Sequence, residues 1–273
     1  MKPDGHTRLY AVLGRPISHS LSPTLHNAAF RAERRNAVYV ACDVGEDELV
    51  AALTGLRALG TAGANLTAPL KERALAAGLA LTDEARAAGA VNTVRWGDEP
   101  VGHNTDGAGL ARFLERHGVT LEGARVVFLG AGGAVRGIAP VLARRGAESI
   151  AAVVRGPRHA IPGVEFAHEA YAIREALSRA TLVVQATPLG GLPDDPLPAP
   201  AEWVPQSATA VDLRYHPAAT PWLLALRARG VRAANGLGML IEQALLAQEF
   251  WHGTMPPRTA LEEAVEWSDP FTA

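Results

Sequence analysis

The sequence has a single cysteine and no long apolar run. Cys42 excludes an internal disulfide, and its place at the end of an apolar stretch is typical of a small buried side chain rather than of a catalytic thiol. No apolar run reaches the roughly 18 residues that a membrane helix needs. The N-terminus lacks the basic and apolar segments of an export signal, so we expect a cytoplasmic protein.

An excess of charge of one sign is also missing. The 26 Lys and Arg residues nearly balance the 28 Asp and Glu residues, and no basic block occurs, which disfavours binding to nucleic acid or to a membrane surface. The nine histidines are scattered and form no HExxH pattern, so no metal is expected. A small molecule is therefore the expected partner. No heptad or interface stripe is visible, and both a monomer and a homodimer stay open.

Lysine is almost absent. Among the 26 Lys and Arg residues only Lys2 and Lys71 are lysine, and Lys2 lies at the terminus. Lys71 is thus the only internal position with an ammonium group, which unlike a guanidinium can readily release a proton. The count singles out Lys71 as a candidate for proton chemistry, although chance survival of one surface lysine explains it equally well.

The chain does contain an alternation of short apolar runs with amphipathic stretches, which is typical of βαβ units. A length of 273 residues predicts about two domains, and we predict an α/β protein of two α/β domains, the first with a mainly parallel sheet. Strands are predicted at Tyr10–Leu13, Val38–Val40, Ala64–Leu66, Arg125–Leu129, Ser149–Val154, Thr181–Gln185, Ala210–Asp212 and Val231–Ala234. Helices are predicted from Ser22 as the N-cap, at Glu46–Leu59, near Pro69, and at Leu110–His117, Ala134–Arg145, Leu240–Trp251 and Arg258–Val265.

A glycine cluster directly follows a strongly β-forming run. Val126 to Leu129 lead into Gly130-Ala131-Gly132-Gly133-Ala134, after which a helix is predicted. Glycines at such a junction let backbone N–H groups approach a pyrophosphate at the helix N-terminus, where the helix dipole favours anions. The strand before the loop and the helix after it favour nucleotide binding in a Rossmann-type domain over a purely structural turn.

The end of the next predicted strand bears on the choice of nucleotide. An NAD-binding unit carries an acidic residue there, which binds the ribose hydroxyls. Here the strand ends in Arg155-Gly156-Pro157-Arg158, and guanidinium groups suit a 2′-phosphate because their paired donors match its oxygens. Arg155 and Arg158 favour NADP over NAD, unless both merely solvate a turn.

Small polar residues cluster in the N-terminal half at predicted strand ends and turns. They are Ser20, Ser22, Asn65, Thr67, Lys71, Asn92, Thr93, Asn104, Thr105 and Asp106. Ligands of open α/β sheets lie at the carboxyl ends of strands, so these residues are expected to meet at one crevice, where they could bind a polyhydroxylated ring. Taken singly, Ser22, Asn104 and Asp106 are equally well explained as helix caps or turn residues.

Five ordered segments carry a resemblance to a known family. They are Gly14–Pro23 with His26-Asn27, Gly63–Glu72, Gly89–Thr93, Asn104–Gly107, and Asn235–Leu240 with Gln243. In order and spacing they resemble the signatures of the shikimate dehydrogenases, over nearly the whole chain. The resemblance implies NADPH-dependent reduction of 3-dehydroshikimate to shikimate, in the biosynthesis of chorismate and the aromatic amino acids.

The resemblance also implies a role for each matching residue. Lys71 and Asp106 are implied to be catalytic, with Lys71 facing the ketone oxygen and Asp106 orienting the lysine. The implied substrate ligands are Ser20, Ser22, Asn65, Thr67, Lys71, Asn92, Asp106, Tyr215 and Gln243. The implied NADP ligands are Gly130, Ala131, Gly132, Gly133, Ala134, Arg155, Arg158, Thr187, Leu213, Gly236 and Met239.

The implied domains are residues 1–106, which bind the substrate, with helices of residues 238–273 returning to them, and residues 107–237, the Rossmann-type NADP-binding domain. The proline-rich segment 188–205 is either an active-site lid or a passive loop. Three positions depart from the family pattern: Val154 replaces a common asparagine, Pro188 a serine and Asn235 an aspartate. The change at Val154 removes a polar contact to the adenosine side of the cofactor.

Two alternative functions stay open. The first is a dehydrogenase of the same fold that also accepts quinate, often with NAD; Ser20, Ser22 and the two arginines disfavour it. The second is a noncatalytic Rossmann-type sensor that binds the metabolite without turning it over; intact Lys71 and Asp106 disfavour that function.

Overall fold

The computed structural model of the protein describes residues 3–156, 160–190 and 195–271. It divides into two compact units, Met1–Gly109 with Leu240–Trp267, and Leu110–Met239 with Ser268–Ala273. The first unit is therefore assembled from two separate parts of the chain. Its boundaries lie a few residues from those that the family resemblance implies, and the segment that begins at Ser268 groups with the second unit.

The first unit is built on a six-stranded sheet in the order β2-β1-β3-β5-β6-β4. Its strands are β1 (Arg8–Gly14), β2 (Ala37–Asp43), β3 (Gly63–Leu66), β4 (Ala80–Leu81), β5 (Thr93–Arg95) and β6 (Val101–His103). The pairs β1–β2, β1–β3 and β4–β6 are parallel, whereas β5 is antiparallel to both β3 and β6. Because β5 is reversed, its first residues lie at the same edge of the sheet as the carboxyl ends of β3 and β6.

The reversal of β5 changes how the polar residues meet. Asn65 and Asp106 lie at or just after the carboxyl ends of β3 and β6, as expected, but Asn92 and Thr93 lie at the start of β5. Asn92 and Thr93 thus lie at a strand end, as expected, but at the beginning of β5 and not at its carboxyl end. They nevertheless reach the same edge of the sheet, because β5 runs in the opposite direction.

Helices cover both faces of this sheet. They include α1 (Ser22–Ala32), α2 (Leu49–Ala58), α3 (Leu70–Arg73) and α4 (Asp83–Ala88). A fifth helix, α5 (Asp106–Arg116), begins in this unit and continues into the second. Alternate residues of β1 supply the two buried layers, Tyr10 and Val12 to one face and Ala11 and Leu13 to the other. Burial on both faces explains why β1 is a nearly continuous apolar run in the sequence.

The start of α1 differs from the prediction. Leu21 is the N-cap, with a backbone already in the helical region, and Ser22 is the first helical residue. The hydroxyl of Ser20 accepts a hydrogen bond from the Ser22 N–H at 3.3 Å. Ser20 therefore satisfies a free N–H group of the first turn, which is the task expected of Ser22.

The second unit contains a six-stranded sheet in the order β12-β11-β10-β7-β8-β9, with all pairs parallel. Its elements are β7 (Arg125–Leu129), α6 (Gly133–Arg144), β8 (Ser149–Val153), β9 (Glu165–Ala167), α7 (Ala170–Ser178), β10 (Leu182–Gln185), β11 (Thr209–Asp212), α8 (Pro221–Ala228) and β12 (Arg232–Asn235). The register pairs Leu129 of β7 with Val153 of β8 and Gln185 of β10. The loops that follow these strands therefore share one edge of the sheet. The predicted α/β fold with a Rossmann-type second domain is confirmed.

Two further helices, α9 (Leu237–His252) and α10 (Arg258–Ala264), close the first unit. Near the end of α9, the Trp251 indole covers Gly63 so closely that a Cβ on Gly63 would lie 2.5 Å from its Nε1 atom. The same Nε1 donates a hydrogen bond to the carbonyl of Val94 at 2.9 Å, so α9 is fixed across β3 and β5. Arg258 of α10 forms an ion pair with the fully buried Glu242 of α9. Within the described ranges, no helix has both the length and the apolar character to cross a membrane.

Candidate active site

Lys71 and Asp106 form an ion pair at the common edge of the first sheet. Lys71 lies on α3, just after β3, and Asp106 is the first residue of α5, just after β6. The Lys71 Nζ lies 2.6 Å from the Asp106 Oδ2, and the side chains are 17% and 5% exposed. Lys71 thus keeps an open path to the surroundings, whereas Asp106 is almost entirely enclosed. The pair combines a proton-carrying group with a fixed counter-ion, an arrangement typical of acid–base sites.

The second oxygen of Asp106 is also held. Asn92 donates a hydrogen bond from Nδ2 to the Asp106 Oδ1 at 2.8 Å. The main-chain N–H of Asp106 donates to the Oδ1 atom of Asn104 at 3.0 Å, and the Asn104 amide donates in turn to the carbonyl of Ala90. Asn104 therefore acts as a helix cap, which was one of its two predicted roles, because its side chain accepts from the first N–H of α5.

The other predicted substrate ligands of the first unit differ in exposure. Asn65 and Asn92 are 6% and 2% exposed, while Ser20, Thr67 and Gln243 are half-buried. Both amide hydrogens of Asn92 already have acceptors, Thr105 Oγ1 at 2.9 Å and the Asp106 carboxylate. A substrate hydroxyl that contacts Asn92 has to share one of these hydrogens.

Gln243 lies on α9, packed against the start of α5. A Cβ on Gly109 would lie 2.9 Å from the Cβ of Gln243, so the two helices approach closely at this point. The side-chain amide of Gln243 donates to the carbonyl of Leu240 at 3.0 Å. Tyr215 follows β11 in the second unit and is half-buried. Its expected contact with the substrate stays a prediction.

The glycine loop of the second unit has the geometry of an anion cradle. Gly130 follows β7 with a φ of +104°, and a Cβ on Gly130 would lie 2.7 Å from the Thr187 Cγ2. Only glycine fits this conformation and this approach. Gly132 is the N-cap of α6, so the free N–H groups of the first turn of α6 follow directly.

A cavity of about 510 Å³ opens beside this loop, within the second unit. Its lining includes Gly130, Ala131, Gly132, Val154, Arg155, Thr187, Pro188, Leu197 and Trp203. The cavity combines apolar walls with glycine backbone and one guanidinium, which suits a nucleotide with an apolar ring and charged phosphates. Val154 is 5% exposed, and Arg155 is exposed.

Leu213, Gly236 and Met239, three of the predicted cofactor ligands, are not among the residues that line this cavity. Arg158 lies outside the described residues, as do residues 191–194 of the proline-rich segment, so the lid stays a prediction. Leu213, Gly236 and Met239 belong to the second unit, where the Gly236 N–H donates to the carbonyl of Arg214 at 2.7 Å. Thr187 donates from its hydroxyl to the Oε1 atom of Gln185 at 3.0 Å.

Burial dominates the electrostatics of the groups around β2. Desolvation lowers the pKa of the fully buried His26 to about 3, and the nearby His252 contributes to the same shift. Burial also raises the pKa of the Cys42 thiol, which keeps it protonated and unreactive. Among the residues that the structure describes, no group of three or more His, Cys, Asp or Glu side chains is arranged to hold a metal ion.

Sequence reasoning missed one contact of the site. The hydroxyl of Tyr39 donates a hydrogen bond to the Asn65 Oδ1 at 2.7 Å, inside the sheet. No local pattern indicates this role, because a tyrosine in a strand is ordinary. His26-Asn27, which was part of a quoted segment without a role, could have pointed to Tyr39, since both residues contact it.

Comparison with known proteins decides the family. The model of the shikimate dehydrogenase substrate binding domain matches residues 12–94, and that of the shikimate 5′-dehydrogenase C-terminal domain matches residues 236–266. The shikimate dehydrogenase (NADP(+)) of Moorella thermoacetica is 39% identical over 273 residues, covering 95% of this chain and 92% of the relative. The chain belongs to the shikimate dehydrogenase family. The resemblance seen in the sequence is thereby confirmed.

Solved structures of shikimate dehydrogenases share the fold. The crystal structure of shikimate dehydrogenase from Aquifex aeolicus matches with a TM-score of 0.90 at 30% identity, over 97% of this chain and 100% of that chain. The Thermus thermophilus shikimate 5-dehydrogenase, in complex with NADP(H) and shikimate, matches with a TM-score of 0.86 at 36% identity, over 95% and 99% of the two chains. Lys71 and Asn92 fall within the first matched family segment and Gln243 within the second, whereas Asp106 and the glycine loop lie between them.

Proposed function

We propose that this member of the shikimate dehydrogenase family catalyses the reversible NADPH-dependent reduction of 3-dehydroshikimate to shikimate, in the pathway to chorismate and the aromatic amino acids. The observation that carries the proposal is the Lys71–Asp106 ion pair of 2.6 Å, set among hydroxyl and amide groups at one edge of a sheet. The relative from M. thermoacetica is a shikimate dehydrogenase (NADP(+)), and the structure from T. thermophilus holds NADP(H) and shikimate.

Lys71 is assigned as the proton donor to the ketone oxygen. When a hydride adds to the carbonyl carbon, negative charge develops on this oxygen, and a nearby cation lowers the energy of the transition state. NADPH, when bound, supplies the hydride. The ammonium of Lys71 donates a hydrogen bond to the oxygen and then transfers a proton to it, leaving an alcohol and a neutral amine. Since the Lys71 side chain is 17% exposed, water can restore the ammonium.

Asp106 orients Lys71 through one oxygen and is itself held through the other by Asn92. With both oxygens engaged, the carboxylate cannot turn away from Lys71 without breaking a buried hydrogen bond. In the oxidation of shikimate the same pair works in reverse, with the amine of Lys71 accepting the proton of the hydroxyl. We assign Lys71 and Asp106 as the catalytic residues.

The substrate carboxylate is assigned to the hydroxyls of Ser20 and Ser22, assisted by Tyr215. The ring hydroxyls are assigned to Asn65, Thr67, Asn92 and Gln243, together with Asp106. This assignment is supported by the donor and acceptor groups that these side chains offer and by the position of Asn65, Asn92 and Asp106 at one sheet edge. Ser20, Thr67 and Gln243 are in addition partly exposed.

The residues of the second unit fit NADP. Gly130 to Ala134 suit the diphosphate, because their backbone approaches the N-terminus of α6 without a Cβ at Gly130. Arg155 and Thr187 line the cavity beside them, and Arg155 suits the 2′-phosphate. Leu213, Gly236 and Met239 are assigned to the nicotinamide side, and Arg158 to the adenosine side. Val154 contributes an apolar wall where the family commonly has an asparagine.

The partners that we propose are small molecules, with no nucleic acid and no membrane. The location that we propose is the cytoplasm. Sedimentation of the purified protein decides between a monomer and a homodimer.

The test is an assay of purified protein for NADP⁺ reduction with shikimate and then with quinate. We expect turnover with shikimate and much slower turnover with quinate. Comparable rates would indicate the dual quinate/shikimate enzyme, and binding without turnover would indicate a sensor. Lys71→Ala should lower kcat by about 1,000-fold, within the range of acid–base contributions.

Arg73→Ala is the matched control for the lysine variant. Arg73 lies on the same short helix as Lys71, but its guanidinium is two-thirds exposed and pairs with Glu46 at the surface. Its removal takes away a cation of the same element and should leave kcat within about twofold of the parent, as expected for an exposed pair. A Lys71→Ala protein as active as Arg73→Ala would refute the proposed mechanism.

A further inference from the structure

A continuous chain of buried hydrogen bonds leads from β2 to the catalytic carboxylate. We propose that Tyr39 and Thr93 are positioning residues for the reaction, because together with Asn65 and Asn92 they fix the Asp106 carboxylate toward Lys71. This inference rests on the proposed function. Neither Tyr39 nor Thr93 is among the residues assigned to the substrate, and both are buried, at 2% and 0% exposure.

His26 and Asn27 fix the ring and the main chain of Tyr39. The His26 ring stacks on the Tyr39 ring, with centroids 4.3 Å apart and planes at 14°. Asn27 brackets the backbone of Tyr39, since its Oδ1 accepts from the Tyr39 N–H and its Nδ2 donates to the Tyr39 carbonyl, both at 2.9 Å. The pair His26-Asn27 therefore has a common task, which is to fix the position of the Tyr39 hydroxyl.

The direction of the first link is forced by a main-chain carbonyl. The Nδ2 atom of Asn65 lies 3.0 Å from the carbonyl oxygen of Asn92, which can only accept. The amide therefore turns its NH₂ group toward Asn92 and its Oδ1 toward Tyr39. The Tyr39 hydroxyl, 2.7 Å away, has to donate to that oxygen.

Thr93 links Asn65 to Asn92 and fixes the orientation of the Asn92 amide. Its hydroxyl accepts the second hydrogen of the Asn65 amide at 3.0 Å, and its own single hydrogen goes to the Asn92 Oδ1 at 2.9 Å. The same Oδ1 accepts from the main-chain N–H of Thr105, which can only donate. Asn92 therefore turns its NH₂ group toward the Asp106 Oδ1.

Every link of the chain consequently donates toward Asp106. Reversing one link would place two acceptors or two donors face to face among buried side chains, so the chain has one stable arrangement. The Asp106 Oδ1 receives the last donor, and the Oδ2 atom is left to Lys71. The orientation of the catalytic carboxylate is thus set from Tyr39, on a strand that carries no other residue assigned to the site.

The test uses isosteric changes. Thr93→Val removes the hydroxyl and keeps the branched shape, Thr93→Ser keeps the hydroxyl, and Tyr39→Phe removes the first donor. Tyr10→Phe is the matched control, because Tyr10 is a buried tyrosine of the same apolar cluster whose hydroxyl lies beside His252 and outside the chain. For each protein, kcat and KM for shikimate oxidation and the melting temperature are measured.

We expect Thr93→Val to lower kcat about tenfold and Tyr39→Phe about fivefold, with KM for shikimate within about twofold, as suits the loss of one hydrogen bond that supports a charged group. Thr93→Ser should recover most of the activity. Because both changes break one chain, the double variant should be no slower than Thr93→Val within about twofold. Tyr10→Phe should keep kcat even if its melting temperature falls.

Three results would overturn the inference while leaving the proposed function intact: Thr93→Val and Tyr39→Phe with parental kcat, effects that multiply in the double variant, or equal losses in Thr93→Val and Thr93→Ser. A parent protein that does not oxidise shikimate would overturn the proposed function and the inference with it. The parent assay therefore distinguishes the two failures.

Discussion

The main-chain carbonyl of Lys71 accepts a hydrogen bond from the N–H of Val91 at 2.8 Å. The next residue, Asn92, holds the Asp106 carboxylate through its side chain. One short segment before β5 therefore supports the backbone of one member of the ion pair and the side chain of the other. The geometry of the pair depends on this segment as much as on α3 and α5.

Asp106→Asn should lower kcat for shikimate oxidation by about 100-fold, because the amide keeps the shape but loses the charge that orients Lys71. Steady-state assays with shikimate and NADP⁺ measure the effect. Asp212→Asn is the control, since Asp212 is a buried carboxylate of the second unit that accepts from the N-cap Thr220 of α8. It should affect stability more than kcat, and equal loss of kcat in the two variants would contradict the role of Asp106.

Gly130→Ala and Gly132→Ala should separate folding from cofactor binding. At Gly130 an added methyl group would clash with the Thr187 side chain, and the φ of +104° is strained for any residue with a Cβ. The free energy of unfolding should therefore fall by about 1–3 kcal/mol. At Gly132 a Cβ has no neighbour within 4 Å, and the φ is −87°, so stability should be nearly unchanged. Both methyl groups stand in the proposed diphosphate cradle, so both variants should bind NADP⁺ more weakly in a fluorescence titration. Tight NADP⁺ binding by Gly132→Ala would place the diphosphate elsewhere.

Arg155→Ala should raise KM for NADP⁺ about tenfold and leave KM for NAD⁺ nearly unchanged, because a charge-assisted bond to a 2′-phosphate is lost only with NADP⁺. The ratio of the two KM values is the measurement. Arg179→Ala is the control, since Arg179 is an exposed arginine that pairs with Glu175 at 3.1 Å. An equal rise of KM for NADP⁺ and for NAD⁺ would mean that Arg155 does not bind the 2′-phosphate.

His26 should make the protein less stable in mild acid. Burial lowers its pKa from 6.5 to about 3, so the folded protein keeps His26 neutral while the unfolded chain takes up a proton below pH 6.5. Stability therefore falls as the pH drops from 6.5 toward 3, and by pH 5 this single group should cost about 2 kcal/mol. Urea unfolding at pH 7.5 and pH 5 measures the effect.

His26→Phe should reduce this pH dependence by about 2 kcal/mol, whatever its stability at pH 7.5, because the variant lacks the titrating ring but can still stack on Tyr39. His168→Gln, a change at an exposed histidine, should behave as the parent does. An unchanged slope in His26→Phe would show that His26 is protonated in the folded state.

The elements with the strongest local patterns were predicted well from the sequence. The strand Arg125–Leu129 has the predicted bounds, and α6 begins at Gly133, one residue before the prediction. An uninterrupted apolar run that ends in glycines has few alternative structures. The three-residue strands β5, β6 and β9 were not predicted, because so short a segment shows no periodicity and pairs only through tertiary contacts.

The candidate site was predicted as a set of residues but not as a geometry. Asn92 and Asn104 are the same residue type in similar motifs, yet Asn92 reaches the Asp106 carboxylate and Asn104 supports a helix start. The difference depends on the reversed direction of β5, which no local signal encodes. Tyr39 escaped notice for a related reason, since its partner Asn65 lies on a different strand.

The division of the first unit into two parts of the chain bears on its biosynthesis. Residues 240–267 leave the ribosome after all the strands of the second unit, and only then can Trp251 cover Gly63. A nascent chain that stops before Leu240 therefore carries all the strands of the second sheet, whereas the first sheet still lacks the helix that packs on Gly63. The first unit is therefore complete only after residues 240–267 have been synthesised.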